Sequence, residues 1–403
     1  MQIRPYQSSD LPAVQRIWKE CGWVESDDEA ALIEPFFADA DVMVAALEDA
    51  ECAVSTNPGV ISFMGVDLPL SVVSSVTTSL IGRKQGLAGA TTAEALSRSA
   101  QSGAAVSLLG MFEQGFYDLL GFGSGPPSLH YRFDPAALKV PNPSRPPMRV
   151  TPDDVEEVHR AIRLRKRSHG GIHVESVDRV RAELNWEKPA FGLGYRDDDG
   201  RLSHFVWGKA KGESGPWRVD FIGYRTTDQL MELLSVLKSI GDQVRAIDIM
   251  EPAEIQIQDL VRHPNRQRIV TQKTEFQTGG RANAWWQARI LDLEACVAAR
   301  SWSGPPVAFN LALSDPVVEF DVEWQGVGGE YVVEIGEQSK ALSGTDPSLP
   351  TLTASVNAFT RMWLGIRPAS SLTLTDALSG PGSLLADLDE AFRLPTPNTG
   401  MYV

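Results

Sequence analysis

Near the N-terminus the apolar side chains Leu11, Val14, Ile17 and Trp18 recur at helical spacing, behind an Asp10 that can cap the helix. Apolar and β-branched runs then predict strands over 42–47, 60–64 and 71–79. A Gly-containing turn follows. It leads into a helix carrying Leu87, Ala90, Ala93, Leu96 and Ala100 on one side, a short strand over 104–109 and a helix over 112–120. Such mixed order predicts a layered α/β structure.

Two proline-rich stretches break the pattern. Residues 140–147 hold four prolines, and Ser301-Trp302-Ser303-Gly304-Pro305-Pro306 follows a helical stretch. Proline removes a backbone donor and fixes φ, so neither helix nor central strand continues through them. The expected segments are 1–139, 148–300 and 305–403. Met148-Arg149-Val150 ahead of Asp153 or Asp154 is patterned like Met1-Gln2-Ile3-Arg4 ahead of Asp10, which suggests a weak duplication. A strand over 217–222, a helix over 227–240 and a strand over 244–250 complete the second segment. The third reads as an α+β module, with strands near 307–313, 317–324 and 331–335. Its helices end near 361–364 and cover 384–392.

Length and composition add bounds. With 403 residues, 43% hydrophobic and 22% charged, the chain has material for two or three buried cores. Its net charge of −15 repels phosphate backbones, so nucleic acid is a poor partner and cationic molecules suit it better. Residues 1–60 concentrate this charge, with twelve acidic residues against Arg4, Arg16 and Lys19. Three scattered cysteines, Cys21, Cys52 and Cys296, offer neither a disulfide framework nor zinc spacing. No run of ~18 apolar residues is present to span a membrane, and the first five residues carry no signal-peptide core. The expected setting is cytoplasmic, with no metal.

The run Ser74-Ser75-Val76-Thr77-Thr78-Ser79-Leu80-Ile81-Gly82-Arg83-Lys84-Gln85-Gly86-Leu87-Ala88 carries the most chemistry. A strand ends, a basic loop with small residues follows, and a helix begins. Backbone N–H groups and a helix N-terminus there suit a pyrophosphate, and Arg83 and Lys84 add positive charge. A plain strand–turn–helix with a solvated basic turn is the competing reading. Tyr117 comes 34 residues after Arg83, just ahead of Gly121-Phe122-Gly123.

Together these resemble the GCN5-related N-acetyltransferase (GNAT) superfamily, whose acyl-CoA loop Arg83-x-x-Gly86-x-Ala88 matches. The three-segment plan is similar to the enhanced-intracellular-survival (Eis) group. Trp285-Trp286-Gln287-Ala288-Arg289 looks like that group's junction, and Phe359-Thr360-Arg361-Met362-Trp363 like its sterol-carrier segment. The resemblance implies two tandem acetyltransferase-fold domains followed by an α+β sterol-carrier-protein-like domain, and a homo-oligomer, a hexamer. It implies acetyl-CoA as co-substrate, held by the backbone of Val76 and Thr78 and by Arg83, Lys84, Gly86, Leu87 and Ala88. It also implies Tyr117 as general acid and the carboxylate of the C-terminal Val403 as base.

Glu25, Asp27, Asp28 and Glu29 beside Trp23 can hold a cationic amine by charge and cation–π contact; a solubilising acidic face is the alternative. The expected activity is N-acetylation of a cationic, aminoglycoside-like small molecule, in keeping with antibiotic resistance. Acetylation of protein lysines, and a non-catalytic carrier binding an apolar ligand in 305–403, are the alternatives.

Other motifs are weaker. Gly121-x-Gly123-x-Gly125 runs into Pro126-Pro127 and cannot open a Rossmann helix in the usual way. His169-Gly170-Gly171-Ile172-His173 could hold a metal, but solvated loop histidines are the simpler reading. Arg163-Leu164-Arg165-Lys166-Arg167 reads as a solvated helix end rather than an RNA patch.

Overall fold

The computed structural model describes residues 2–186, 190–264 and 272–402, and among them forms three sheets of eight, seven and five strands. The first begins with β1 (Gln2–Pro5), followed by the helices α1 (Leu11–Glu20), α2 (Asp27–Ala30) and α3 (Ile33–Phe37). Then come β2 (Asp41–Ala46), β3 (Ala50–Phe63), β4 (Val66–Thr78), α4 (Leu87–Gln101), β5 (Val106–Gly110), α5 (Gln114–Asp118) and β6 (Gly123–Ser124). Strands β1 to β4 are antiparallel neighbours, and α4 makes the crossover that lets β4 and β5 run parallel. Along β3, Cys52 and Val54 join the core shared with α4, while Ala53 between them joins the core shared with α1. Both faces are covered, which explains why these strands read as near-continuous apolar runs. Asp10 acts one turn earlier than a cap on α1: its carboxylate accepts the Gln7 N–H at 2.8 Å and pairs with Arg4 at 2.7 Å. The expected helix over 112–120 shrinks to α5, because the backbone at Glu113 is extended, with φ −143° and ψ 123°.

The second sheet repeats this plan. This part of the chain holds β7 (Ser128–Phe133), β8 (Met148–Arg149), α6 (Val155–Leu164), β9 (Ile172–Val174), α7 (Val177–Trp186), β10 (Ala190–Arg196), β11 (Leu202–Lys209), β12 (Trp217–Gly223), α8 (Thr227–Ser239), β13 (Ile247–Met250) and β14 (Gly279–Asn283), all its strands but β9 belonging to the second sheet. The order is β14-β7-β13-β12-β11-β10-β8. Asp154 accepts the Thr151 N–H ahead of α6 as Asp10 does ahead of α1, and α8 joins parallel β12 and β13 as α4 joins β4 and β5. The duplication is therefore structural.

The first two sheets exchange strands across the expected cut at 139. β7 precedes the proline-rich stretch yet lies in the second sheet. β9 pairs with β3 of the first, and β15 (Trp286–Ile290) inserts between β5 and β6.

The third unit holds α9 (Leu293–Ala298), β16 (Val307–Ser314), β17 (Gly329–Ile335), β18 (Lys340–Ser343), β19 (Thr351–Ser355), α10 (Val356–Trp363), α11 (Ala369–Thr375), β20 (Leu378–Ser379) and α12 (Gly382–Ala391). Its strand order is β18-β17-β16-β19-β20. The expected strand over 317–324 does not form. Pro316 opens a single turn of 3₁₀-helix, and the Asp315 carboxylate takes the N–H groups of Val317 at 3.1 Å and Val327 at 2.9 Å, bending the chain away. The same carboxylate meets Arg289 of β15 at 2.6 Å, both side chains wholly buried. This pair ties the third unit to the first sheet. No helix among the described residues is long and apolar enough to cross a membrane.

Candidate active site

Strands β4 and β5 separate. Their ladder runs from Leu70 with Val106 to Val73 with Leu109 and stops. β4 keeps β3 on its other side, but with a shift of register at Ser75, whose φ is +50°. Such a bulge costs backbone strain and turns the strand. Ser75 is pinned by its hydroxyl, 2.7 Å from that of Ser55. β5 meanwhile continues alongside β15, where Gly110 pairs with Trp286. The result is a wedge whose β4 edge, from Ser74 onward, has no strand partner among the described residues. A cavity of about 1050 Å³ opens from it, lined by Ser74, Ser75 and Val76 on one side and Gly110, Met111 and Phe112 on the other.

Beyond β4 the loop is braced from below. Ser79 accepts the Gly82 N–H with both its carbonyl and its hydroxyl, and Glu20 accepts the Leu80 N–H at 2.8 Å. Lys84 and Gly86 take positive φ, +60° and +77°. No side chain caps α4, and its first backbone bond is Ala90 N–H to Gly86 O, so the N–H groups of Leu87, Ala88 and Gly89 are left over. Arg83, Lys84 and Gly86 are exposed here, whereas the Leu87 side chain is buried in the core. Neither Arg83 nor Lys84 has an ion-pair partner among the described residues. An uncapped helix start with two unpaired cations beside it fits a phosphate group.

Tyr117 of α5 stands on the opposite wall, 2% exposed. Phe112, Phe116 and Phe122 meet its ring edge-on at 5.8, 4.9 and 6.1 Å. Burial, with a smaller push from Cys52, raises its phenol far above the ordinary value. At neutral pH the hydroxyl therefore keeps its proton and can give it to a stronger base.

The rest of the cavity comes from distant sequence. Trp23, Glu25 and Glu29 line one end, with Trp18 and Phe36 behind them. From the second unit come Arg179 and Trp186 of α7, Arg281 of β14, and His130 of β7. Arg179 is nearly buried; it donates to the Ser74 hydroxyl at 2.8 Å and to Glu183 at 2.8 Å, over the Phe36 ring at 4.9 Å. His130 is pushed below its ordinary pKa by burial first and by Arg281 second, against the pull of Asp248.

The chain's end also arrives here. Asn398 donates its N–H to His169 O at 2.9 Å, and Thr399 O accepts from Ile172 N–H at 3.1 Å. Arg165 Nη2 lies 3.4 Å from Thr399 O and also donates to Ile172 O. Gly170, at φ +79°, lets Pro397 pass so close that a Cβ on it would lie 2.5 Å from Pro397 Cβ. Tyr402 then enters the cavity, its ring 5.0 Å from Trp285 and its hydroxyl 3.5 Å from His130 Nε2.

Of the residues singled out from sequence, Val76, Tyr117, Trp23 and Glu25 face the cavity together. Arg83, Lys84, Gly86 and Ala88 are not in its lining; they lie on the loop and helix start that follow β4. Thr78 is half-buried and its hydroxyl points to Cys52 Sγ at 3.4 Å. Asp27 and Asp28 are not at the site: they head α2 in solvent, where Asp27 pairs with Lys19 at 2.5 Å. Glu29, the fourth acid of that expected set, does line the cavity: the Ser26-x-x-Glu29 cap turns it back, and its carboxylate accepts the Glu25 N–H at 2.7 Å. Val403 lies outside the described residues.

Two of the weaker motifs also settle. His169 and His173 are buried rather than solvated, each with a protein partner, at Leu364 O and Glu175. Arg165 is buried too, and burial pushes its pKa down to about 9. These two motifs form the groove that seats the tail.

Residues 2–125 match the acetyltransferase (GNAT) domain model. An uncharacterised N-acetyltransferase of Streptomyces avermitilis is 24% identical over 324 residues, 75% of this chain and 72% of its own. The wedge, the basic loop and Tyr117 thus lie within a segment that matches the acetyltransferase (GNAT) domain, of a family whose members use acetyl-CoA. The whole chain further shares its architecture with Eis1 from Mycobacterium abscessus (TM-score 0.77, 15% identity, 100% of both chains). It also matches a probable N-acyltransferase from Enterococcus faecalis (TM-score 0.78, 18% identity, 96% of each chain). The mixed α/β architecture of two acetyltransferase-fold units and a C-terminal unit is that of the Eis-like proteins.

Proposed function

We propose that this chain transfers acetyl from acetyl-CoA to a primary amine of a small molecule. The observation that carries this is one cavity that joins the unpaired β4 edge, the protonated Tyr117 and the chain's own tail. The N–H and C=O groups beyond Val73 suit the amides of the pantetheine arm, with Val76 and Thr78 as the backbone partners. The Leu87 and Ala88 N–H groups at the start of α4, with Gly86 giving close approach and Arg83 and Lys84 giving charge, suit the pyrophosphate. The amine nitrogen bonds to the thioester carbonyl carbon, the C–S bond breaks, and Tyr117 gives its proton to the sulfur. The proton lost by the amine goes to a base. By resemblance this is the Val403 carboxylate, and the entry of Tyr402 into the cavity supports it.

Glu25 and Glu29, beside Trp23, attract the cationic amine. Walls from α7, β14 and the tail favour a small molecule over a protein lysine. An aminoglycoside-like polycation is the acceptor the Eis resemblance suggests. The interior of the third unit is filled by side chains such as Phe309, Leu311, Phe359 and Trp363, all unexposed, which leaves the carrier reading without an observation in its favour. We also propose a homo-oligomer, a hexamer by resemblance; light scattering that reads only a 44.0 kDa species removes it.

Thiol release from acetyl-CoA across a panel of amines tests the activity. Gly86→Glu puts bulk and negative charge where the pyrophosphate would sit. Calorimetry showing unchanged CoA affinity in that variant refutes the assigned site.

A further inference from the structure

A second cavity of about 550 Å³ lies on the far side of Tyr402, in the second unit. It is continuous with the first: Phe36, Arg179, Trp186, Arg281 and Tyr402 form part of both walls. Its own lining is different. Val180 and Leu184 of α7, Phe205 and Trp207 of β11 and Phe221 of β12 face it, with Met401 of the tail.

Its charged residues are already spoken for. Arg179 bonds Glu183 at 2.8 Å, Arg281 bonds Asp248 at 3.4 Å, and Arg218 bonds Asp220. Three guanidiniums line the chamber against two carboxylates, so a second ammonium group gains nothing by entering. At the other end of the site, Glu25 and Glu29 have no cationic partner among the described residues.

The geometry points to an acceptor that is an amphipathic amine: one ammonium drawn to the acidic end, and a bulky alkyl or aryl group seated in the chamber of Leu184, Trp207 and Phe221. This rests on the acetyltransferase reading and narrows its substrate away from polycations. The volume suits a group of drug-like size, and apolar walls reward each methylene that leaves water. Tyr402 stands where the two cavities join, so the tail that enters the reaction site also borders the specificity chamber.

The test is kcat/KM for thiol release over straight-chain amines from ethylamine to octylamine, with phenylbutylamine and spermidine alongside. The expected result is a rise of about threefold to fourfold per added methylene until the chamber is full, with hexylamine ahead of spermidine. Leu184→Trp should flatten the rise, and Trp207→Ala should move the optimum to a longer chain, so either variant tests the chamber if the other does not fold. A flat series in the wild type, or spermidine preferred over hexylamine, overturns the proposal while leaving the acetyltransferase reading intact. If no amine is acetylated, that reading fails instead. Calorimetric binding of phenylbutylamine then decides the chamber: saturable binding weakened by Leu184→Trp supports it, and no binding to the wild type overturns it.

Discussion

Replacing Gly170 by alanine should detach the tail without unfolding the protein. The new Cβ would lie 2.5 Å from Pro397 Cβ and 2.9 Å from the Asn398 nitrogen. Carbon atoms pack at ~3.5–4.0 Å, so the tail must retreat by roughly 1 Å. That retreat takes the bonds of Asn398 N–H to His169 O (2.9 Å) and of Ile172 N–H to Thr399 O (3.1 Å) beyond useful range. Two such bonds contribute about 1–3 kcal/mol net. The left-handed backbone at φ +79° adds about 1–2 kcal/mol for any residue with a Cβ. A separate control isolates that second part: Gly200 has φ +76° and nothing within 4 Å of its would-be Cβ. Gly200→Ala should show the backbone cost alone, as a small fall in melting temperature with normal turnover. Gly170→Ala should show a larger fall in melting temperature. Its turnover should drop about 10- to 100-fold, since 1.4 kcal/mol is tenfold, while CoA affinity changes less than twofold. If the two variants match in melting temperature and in thiol release, the latch does not position the tail.

Other outcomes follow from the same geometry. Tyr117→Phe should lower turnover by ~10²–10⁴-fold and leave CoA binding by calorimetry intact; equal turnover would make Tyr117 a packing residue. Arg289→Met leaves Asp315 charged and wholly buried without its partner, so chemical denaturation should show a loss of about 3–5 kcal/mol, and a loss under 1 kcal/mol would contradict the pair's importance. Adding two glycines after Val403 should cut turnover sharply if the terminal carboxylate is the base, and wild-type rates would place the base elsewhere. Burial holds His130, His169, His173 and His204 below their ordinary value of 6.5. Their neutral forms favour the folded state, so that stability is full above pH ~6.5 and is lost as pH falls from there toward the depressed values. His169→Gln should narrow the difference in melting temperature between pH 7.5 and 5.5; an unchanged difference would remove His169 from the effect.

Local pattern made parts of the site legible. The strand, basic loop and helix over 71–100 are seen in outline from β-branched residues, small residues and helical spacing, because each signal is contained within a few residues. The paired acids Asp10 and Asp154 ahead of two helices are equally visible, although each binds an N–H one turn before its helix rather than capping it. What local pattern cannot hold is partnership over distance. Nothing around Arg179 announces that its guanidinium reaches Ser74, 105 positions earlier. The bulge at Ser75 exists because β4 must follow β3 while leaving β5, a three-strand condition. Asp27 and Asp28 outnumber Glu29 in the acidic run, yet the cap at Ser26 selects the one that faces the cavity. The sequence 317–324 alternates like a strand, but the carboxylate of Asp315 binds two backbone N–H groups there and wins over that pattern. Arg165 and His169 read as solvated because the strap that covers them comes more than 220 residues later.

The insertion of β15 between β5 and β6 has a consequence for how the protein is made. When Ser124 leaves the ribosome, the first sheet lacks the strand that will fill its gap, and roughly 160 further residues must be synthesised before that strand exists. At ~5–20 residues per second the gap stays open on the order of ten to thirty seconds. During that time the edge of β5, with Val106, Leu108 and Leu109 beside it, is an unfilled template for any other extended chain. A second nascent copy nearby presents the same need and, once longer, the matching strand. Excision of residues 2–125 as a free-standing domain would make this temporary state permanent. The natural unit of folding is therefore close to the whole polypeptide, and the wedge between β4 and β5 matures only near the end of synthesis.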